Sequence, residues 1–380
     1  MDTFINPRMI TWARERSGLS VADLADKMKR DVIEIESWED GSKKISYSIL
    51  EQLAYRYLKI PLAVFFFPEP PPIDDPVNKF RRLPEVELEK LSPDTYKKVR
   101  LAQSYQDSLY FLLSETKQPK SIIHKLSPKD YDPIKFAQIV RRHLGMSLEK
   151  QYSFISSEEA FKAWRQVLEK AGIYTFKDSL EDKFISGFSL IDEEYPIILI
   201  NNSNAFPRQV FTLIHELAHI LYGVSGVTDF DESFIDMMEE EQKDLEINCN
   251  KFAAHFLVPD TVFIDDLSFF KTTGVESISK IAAKYSVSRE VILRRLLDYG
   301  AVSRDFYKRK SLEWNKEYIN RRKQSEGGHF YYTRLAYLGT GFTQIAFENH
   351  ALGRISIAEL GQHLNTNSKN LKKLKYYMEQ

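Results

Sequence analysis

The sequence predicts an α+β fold, mainly helical with one small β-sheet. Three observations lead there. Helical periodicity runs through most of the chain, and three strand candidates cluster just after residue 172. An apolar helix follows them directly and carries two histidines and a glutamate.

Residues 1–67 read as short amphipathic helices. Pro7 suits a first helical position, and Ile10 to Arg16 carries a helix to Gly18. Ser20 is expected to cap a second helix with Leu24, Ala25 and Met28 on one face, and Asp31 a third that runs to Trp38 and closes at Gly41. Ser46 to Leu58 makes a fourth. The prolines of Pro68 to Pro84 forbid regular structure, so residues 68–92 read as a linker. Ser92 to Glu115 is a long helical pattern, placed as a connecting helix within residues 93–118. Asp132 to Leu144 and Glu158 to Ala171 follow, the second with Phe161, Trp164, Val167 and Leu168 at helical spacing. The strand candidates are Ile173–Phe176, Phe184–Ile191 and Tyr195–Asn201. Pro207 opens a helix reaching Tyr222 and stopped by Gly223, and Lys243 to Leu257 forms another, stopped before Pro259. We expect a catalytic domain over residues 119–265 and a helical C-terminal region over 266–380, where Gly327-Gly328 is a hinge candidate.

Composition narrows the function classes. Lys plus Arg total 53 against 54 Asp plus Glu, a formal net charge of −1, so no whole-chain basic bias points to nucleic acid. Cys249 is the one cysteine, so no internal disulfide can form, which fits a reducing compartment. The apolar run Ile60 to Phe67 is far short of the roughly 20 residues that cross a bilayer. The N-terminus has neither the basic nor the apolar region of a signal peptide. A cytoplasmic protein with no membrane partner is expected.

The strongest chemical signal is His215-Glu216-Leu217-Ala218-His219, inside the apolar stretch Phe211 to Leu221. Residues i and i+4 lie one turn apart on one helix face, so two imidazoles at this spacing can grip one metal ion. Glu216 lies beside them, placed to take a proton from water at that metal. A catalytic zinc has three protein ligands, and the third comes from a separate element. The downstream helix offers Asp244, Glu246 and Asn250. The His₂Glu pattern favours Glu246 over Asp244. Asn250 shares a helix face with Glu246 and is expected to hydrogen-bond the far nitrogen of a ligand histidine. The expected cofactor is Zn2+. Tyr222 reads as a helix-end packing residue, and no oxyanion donor is identified. The strand Phe184–Ile191 is a candidate edge for pairing with an extended substrate.

The run from Pro207 through His215-Glu216-Leu217-Ala218-His219 to Leu221 resembles the ImmA/IrrE family of metallopeptidases. So do Glu246-Ile247-Asn248-Cys249-Asn250-Lys251-Phe252-Ala253-Ala254, Leu257-Val258-Pro259, Ile185 to Leu190 and Pro196 to Asn201. The resemblance covers about residues 120–300. It implies a zincin-like core, His215, His219 and Glu246 as ligands, Glu216 as base, and cleavage of a transcriptional repressor. An acidic residue often seen in the family is Asn248 here, and an alanine is Cys249, which removes a rival ligand.

Gly18 to Met28 with Ile35 to Gly41 resembles the helix-turn-helix of Cro and phage repressors (the XRE type), a module found fused ahead of such peptidases. Yet the third helix, Asp31 to Asp40, has five acidic residues among ten and no basic one. Phosphate repulsion opposes its entry into a major groove. A partner protein docking on this domain is therefore weighed beside DNA. Further basic segments occur in Ile278–Leu297, with Arg289, Arg294 and Arg295, and in Arg304 to Lys323; the latter reads as a solvated helix. Asp229 to Glu246 holds nine carboxylates and reads as a solvated loop. The expected function is a zinc endopeptidase that cuts a regulatory protein, a transcriptional repressor or the like, in a stress or mobile-element response. The alternative is a non-proteolytic regulator or antitoxin.

Overall fold

The computed structural model describes residues 5–58, 60, 62–70, 92–114, 121, 126, 132–182, 185–224, 227–229, 240–321 and 329–380. Pro71 to Pro84 of the expected linker, Phe184, Asp231 to Glu239 of the acidic stretch, and Gly327-Gly328 lie outside these residues. Packing divides the chain into two compact units, residues 1–103 with 180–183, and residues 104–179 with 184–380.

The first unit is a bundle of short helices: α1 (Arg8–Arg16), α2 (Val21–Met28), α3 (Val32–Glu39) and α4 (Tyr47–Gln52), the last continuing as a π-helical turn over Leu53–Leu58. Ser20 caps α2 with a reciprocal capping box to Asp23. Asp31 occupies the cap position of α3 but makes no side-chain cap hydrogen bond, unlike the expectation. Leu24, Ile35, Trp38, Leu50 and Leu53 fill the interior. Arg14 of α1 donates to Glu39 of α3 at 2.7 Å, tying the third helix to the first. The helix α5 (Pro93–Leu113) has residues in each unit.

The second unit begins with α6 (Pro133–Leu144), α7 (Leu148–Tyr152) and α8 (Ser157–Lys170). The strands β1 (Tyr174–Asp178), β2 (Ile185–Leu190) and β3 (Ile197–Asn201) follow. After α9 (Phe206–Tyr222) comes β4 (Val227–Asp229), which the sequence reading lacked; three residues are too few to carry a periodicity. The sheet order is β1-β3-β2-β4, with β1 parallel to β3 and the other pairs antiparallel. Because β2 is bonded on both sides, it is an inner strand and not the free edge expected for a substrate. Every residue of β1, β2 and β3 is buried, as in a sheet covered on both faces.

The core continues through α10 (Glu240–Leu257), α11 (Asp260–Thr273), α12 (Ser277–Tyr285), α13 (Arg289–Asp298) and α14 (Arg304–Arg321). Ile278, Ile281, Ile292, Leu293, Leu296 and Tyr307 join Phe136, Trp164, Leu213 and Phe252 in one apolar cluster. The boundary expected after residue 265 therefore falls inside this core. Pro259 reads like a break, but the side chains beyond it return to α10.

Four more helices complete the unit: α15 (Phe330–Leu338), α16 (Thr340–Ala351), α17 (Ile357–His363) and α18 (Ser368–Met378). Arg165 of α8 is buried and donates to the Ala336 and Tyr337 carbonyls at the end of α15 and to Thr175 of β1. Glu169 pairs with it at 3.2 Å. This fastens α15 beside the edge strand β1.

Gly187 of β2 marks where the sheet meets α9. A Cβ there would lie 2.8 Å from Thr212 Cγ2 and 2.9 Å from the Leu199 carbonyl oxygen. The carbonyl belongs to the paired strand and cannot swing away. Gly187→Ala is expected to destabilise the protein by about 1–3 kcal/mol, read as a lowered thermal unfolding midpoint; an unchanged midpoint would show that β2 and α9 are not closely packed.

Candidate metal centre

The helix α9 is buried on every side. Pro207 sits in its first turn and Gly223 ends it in a left-handed conformation (φ 71°). Between them Val210, Leu213, Ile214, Leu217, Ala218 and Ile220 are fully buried, packed among α8, α10, β2 and β3. Polar side chains share this environment, among them His215 and His219 at 1% exposed and Glu216 at 0%.

The second wall is α10. Phe252, Ala253, Phe256 and Leu257 bury its C-terminal half, with Phe252 and Phe256 against Phe136 and Trp164. That packing fixes the rotation of α10 and turns Glu246 toward α9. The Nε2 atoms of His215 and His219 lie 3.0 Å apart. Glu246 reaches both, with Oε2 3.2 Å from His215 Nε2 and Oε1 3.1 Å from His219 Nε2. Asp244, the competitor, is exposed and outside the cluster.

These three residues form the one candidate metal-binding group among the described residues. Two imidazole nitrogens and a carboxylate oxygen suit zinc. Ligand atoms around a tetrahedral zinc with bonds of about 2.0–2.1 Å are separated by roughly 3.3 Å, close to the edges seen here. The donor set fits the ion.

Asn250 is buried on α10 but makes no hydrogen bond to either imidazole: Nδ1 of His215 and Nδ1 of His219 have no hydrogen-bond partner among the described residues. The expected support of a ligand histidine by Asn250 is absent from this geometry. Its neighbour Cys249 lies against His219 instead. The signal for that contact was the i+3 spacing from Glu246, which shares a helix face as i+4 does. Tyr222 packs on Phe136 at the helix end, with its hydroxyl buried.

Electrostatics tie the imidazoles to the carboxylate. Burial pulls the His219 pKa down, but Cys249 and Glu246 outweigh it and hold the value well above the usual imidazole range. Burial pushes the Cys249 thiol up, and the neighbouring His219 works against that rise. Burial works to raise the Glu246 pKa, yet His219 and His215 hold it well below the usual carboxylate range.

In protein stripped of metal, the signs are opposite for the two groups. The depressed Glu246 stabilises the fold above its ordinary pKa of about 4.3, and this is lost as pH falls through the lower folded value. The raised His219 stabilises below about 6.5, and this is lost as pH rises through the higher folded value. Wild type should exceed Glu246→Gln in urea midpoint most between about pH 4.3 and 6.5. A constant difference from pH 4 to 9 would contradict the pairing.

Comparison with known proteins bears on this site. The IrrE N-terminal-like domain family matches residues 168–297, a span from the end of α8 to α13 that contains α9 and α10. The radiation response metalloprotease IrrE of Deinococcus radiodurans is 33% identical over 113 residues, 29% of this chain and 34% of that protein. The protein of the same name from Deinococcus deserti is 32% identical over 115 residues, 29% of this chain and 39% of its own. The match thus spans little more than a third of these curated relatives. Residues 168–297 of the chain are thus similar to the IrrE N-terminal-like domain family, through the segment that holds both helices of the candidate site.

Proposed function

We propose that this chain is a zinc-dependent endopeptidase that cuts a protein substrate. One observation carries the reading: the convergence of His215 and His219 from the buried α9 with Glu246 from α10, Glu216 being next to His215 in the chain. His215, His219 and Glu246 would hold the ion. A zinc ion there supplies Lewis acidity toward a scissile carbonyl and lowers the pKa of water to about 7.

Glu216 has the remaining task. Its carboxylate is fully buried next to His215, where it takes a proton from the attacking water and returns it to the leaving amine. Low exposure keeps bulk water from competing for that proton. The relatives carry the name of radiation response metalloproteases, which supports a peptidase acting in a stress response; a regulatory protein such as a repressor is the substrate we infer for it. The described residues contain no helix long and apolar enough to cross a membrane, and the lone buried cysteine accords with a cytoplasmic setting.

A second reading is a regulator or antitoxin that works without proteolysis. The short helices α2 and α3, joined by a brief turn, favour it, because a partner protein can engage such a helix pair.

Metal content by mass spectrometry and N-terminal peptide profiling of expressing cells separate the two. The wild type should hold about one zinc per chain, retained in Glu216→Gln and lost in His215→Ala and Glu246→Ala. Glu216→Gln should lower cleavage by about 10²–10⁴-fold. Undiminished biological activity in Glu216→Gln would favour the regulator, and failure to bind zinc at all would end the peptidase reading.

A further inference from the structure

Among the described residues, three that are not glycine adopt left-handed backbone: Lys29 (φ 51°), Ser286 (φ 55°) and Asn365 (φ 44°). Each lies in the short turn between two helices, α2–α3, α12–α13 and α17–α18 respectively. The surrounding pattern is the same in all three. Four residues before the left-handed position stands a small residue, Ala25, Ala282 or Gly361. Five before it is a buried aliphatic residue, Leu24, Ile281 or Leu360. Six and nine after it, the second helix turns inward Ile35 and Trp38, Ile292 and Arg295, or Leu371 and Leu374. This is helix-turn-helix architecture, in which the second helix is the one offered to a major groove. At Gly361 the small residue is required, because a Cβ would meet the Thr366 carbonyl oxygen at 2.9 Å.

The three second helices present different surfaces. On α3 the exposed residues are Val32, Ile33 and Glu36, flanked by Asp31 and Asp40. This surface lacks donors for base edges and repels phosphate. On α13 the side chains are already engaged: Arg295 is fully buried against His255 and Asp260, Arg289 pairs with Glu317, and Arg294 donates to the Tyr307 hydroxyl. On α18, Lys369, Lys372, Lys373 and Tyr376 are all exposed. Their i, i+3, i+4, i+7 spacing makes one stripe opposite Leu371 and Leu374. No acidic residue occurs from Leu360 to Met378, and Lys369, Lys372 and Lys373 make no ion pair among the described residues.

The unit is also rigidly held. Arg334 of α15 donates to the Leu364 and Asn365 carbonyls and to Thr366 Oγ1, which locks the turn. Asn367 caps α18 by accepting from the Lys369 backbone N–H at 3.0 Å. The α18 stripe is therefore presented at fixed orientation to α17.

We propose that α17 and α18 form a duplex-DNA-binding site, with α18 entering the major groove and Lys369, Lys372 and Lys373 meeting phosphates. The site is independent of the metal centre. The test uses the full-length protein and a fluorescein-labelled mixed-sequence duplex of about 30 base pairs, followed by anisotropy across a salt series. Wild type should bind at low salt and weaken as salt rises. Lys372→Ala with Lys373→Ala should bind at least ten-fold more weakly at about 0.1 M salt, and lower the log–log salt slope by roughly two. Lys27→Ala with Lys29→Ala, on the first unit, should bind like wild type. Both lysine pairs are exposed, so unchanged circular dichroism melts verify folding. No binding at low salt, an α18 variant that binds like wild type, or equal affinity for poly-glutamate would overturn the proposal.

Discussion

The candidate site of the second unit depends on burying two imidazoles of α9 against a carboxylate of α10 in largely apolar surroundings. An isolated polar group in such a place is costly, by several kcal/mol for a charge. The cost is tolerated because His215, His219 and Glu246 satisfy one another across about 3 Å. That in turn demands exact placement of two helices. The sheet supports α9 from one side and α8 and α10 from others, so helix rotation is set by apolar contacts rather than by the polar atoms themselves. The precision of this candidate site is a packing property.

This division explains what could be read from the residues. The helix that became α9 was legible because its proline, its glycine and its apolar run are local signals. The i, i+4 histidine spacing is local too. By contrast, only tertiary packing turns Glu246 and not Asp244 inward, through Phe252 and Phe256 on Phe136 and Trp164. The contact of Cys249 with His219, the failure of Asn250 to reach an imidazole, and the inner position of β2 were likewise not local facts. Nor was the return of α12 and α13 to the core across Pro259. The α+β class rests on periodicity and was readable; strand order is a long-range property and was not.

The repeated turn at Lys29, Ser286 and Asn365 shows how little a supersecondary motif determines by itself. A turn with the same left-handed residue supports an acidic and apolar helix, a helix absorbed into a core, and a lysine-lined helix. The difference lies in side chains pointing away from the buried positions, and these are free to vary without disturbing the fold. A cation such as Arg295 even replaces an inward apolar residue, since His255 and Asp260 receive it.

The Arg165 clamp makes the C-terminal helices part of the peptidase-like unit rather than an appendage. Its guanidinium spends part of its donor set on carbonyls at the end of α15, and Gly339 leaves space that a side chain would take: a Cβ there would lie 2.4 Å from Nη2. Trimming the chain before residue 330 would strand those donors in the interior, with Glu169 and Thr175 as the remaining acceptors. A family-matched segment cut out at its homology limits is thus not a natural folding unit in this chain, and any minimal version must either keep α15 or replace the arginine.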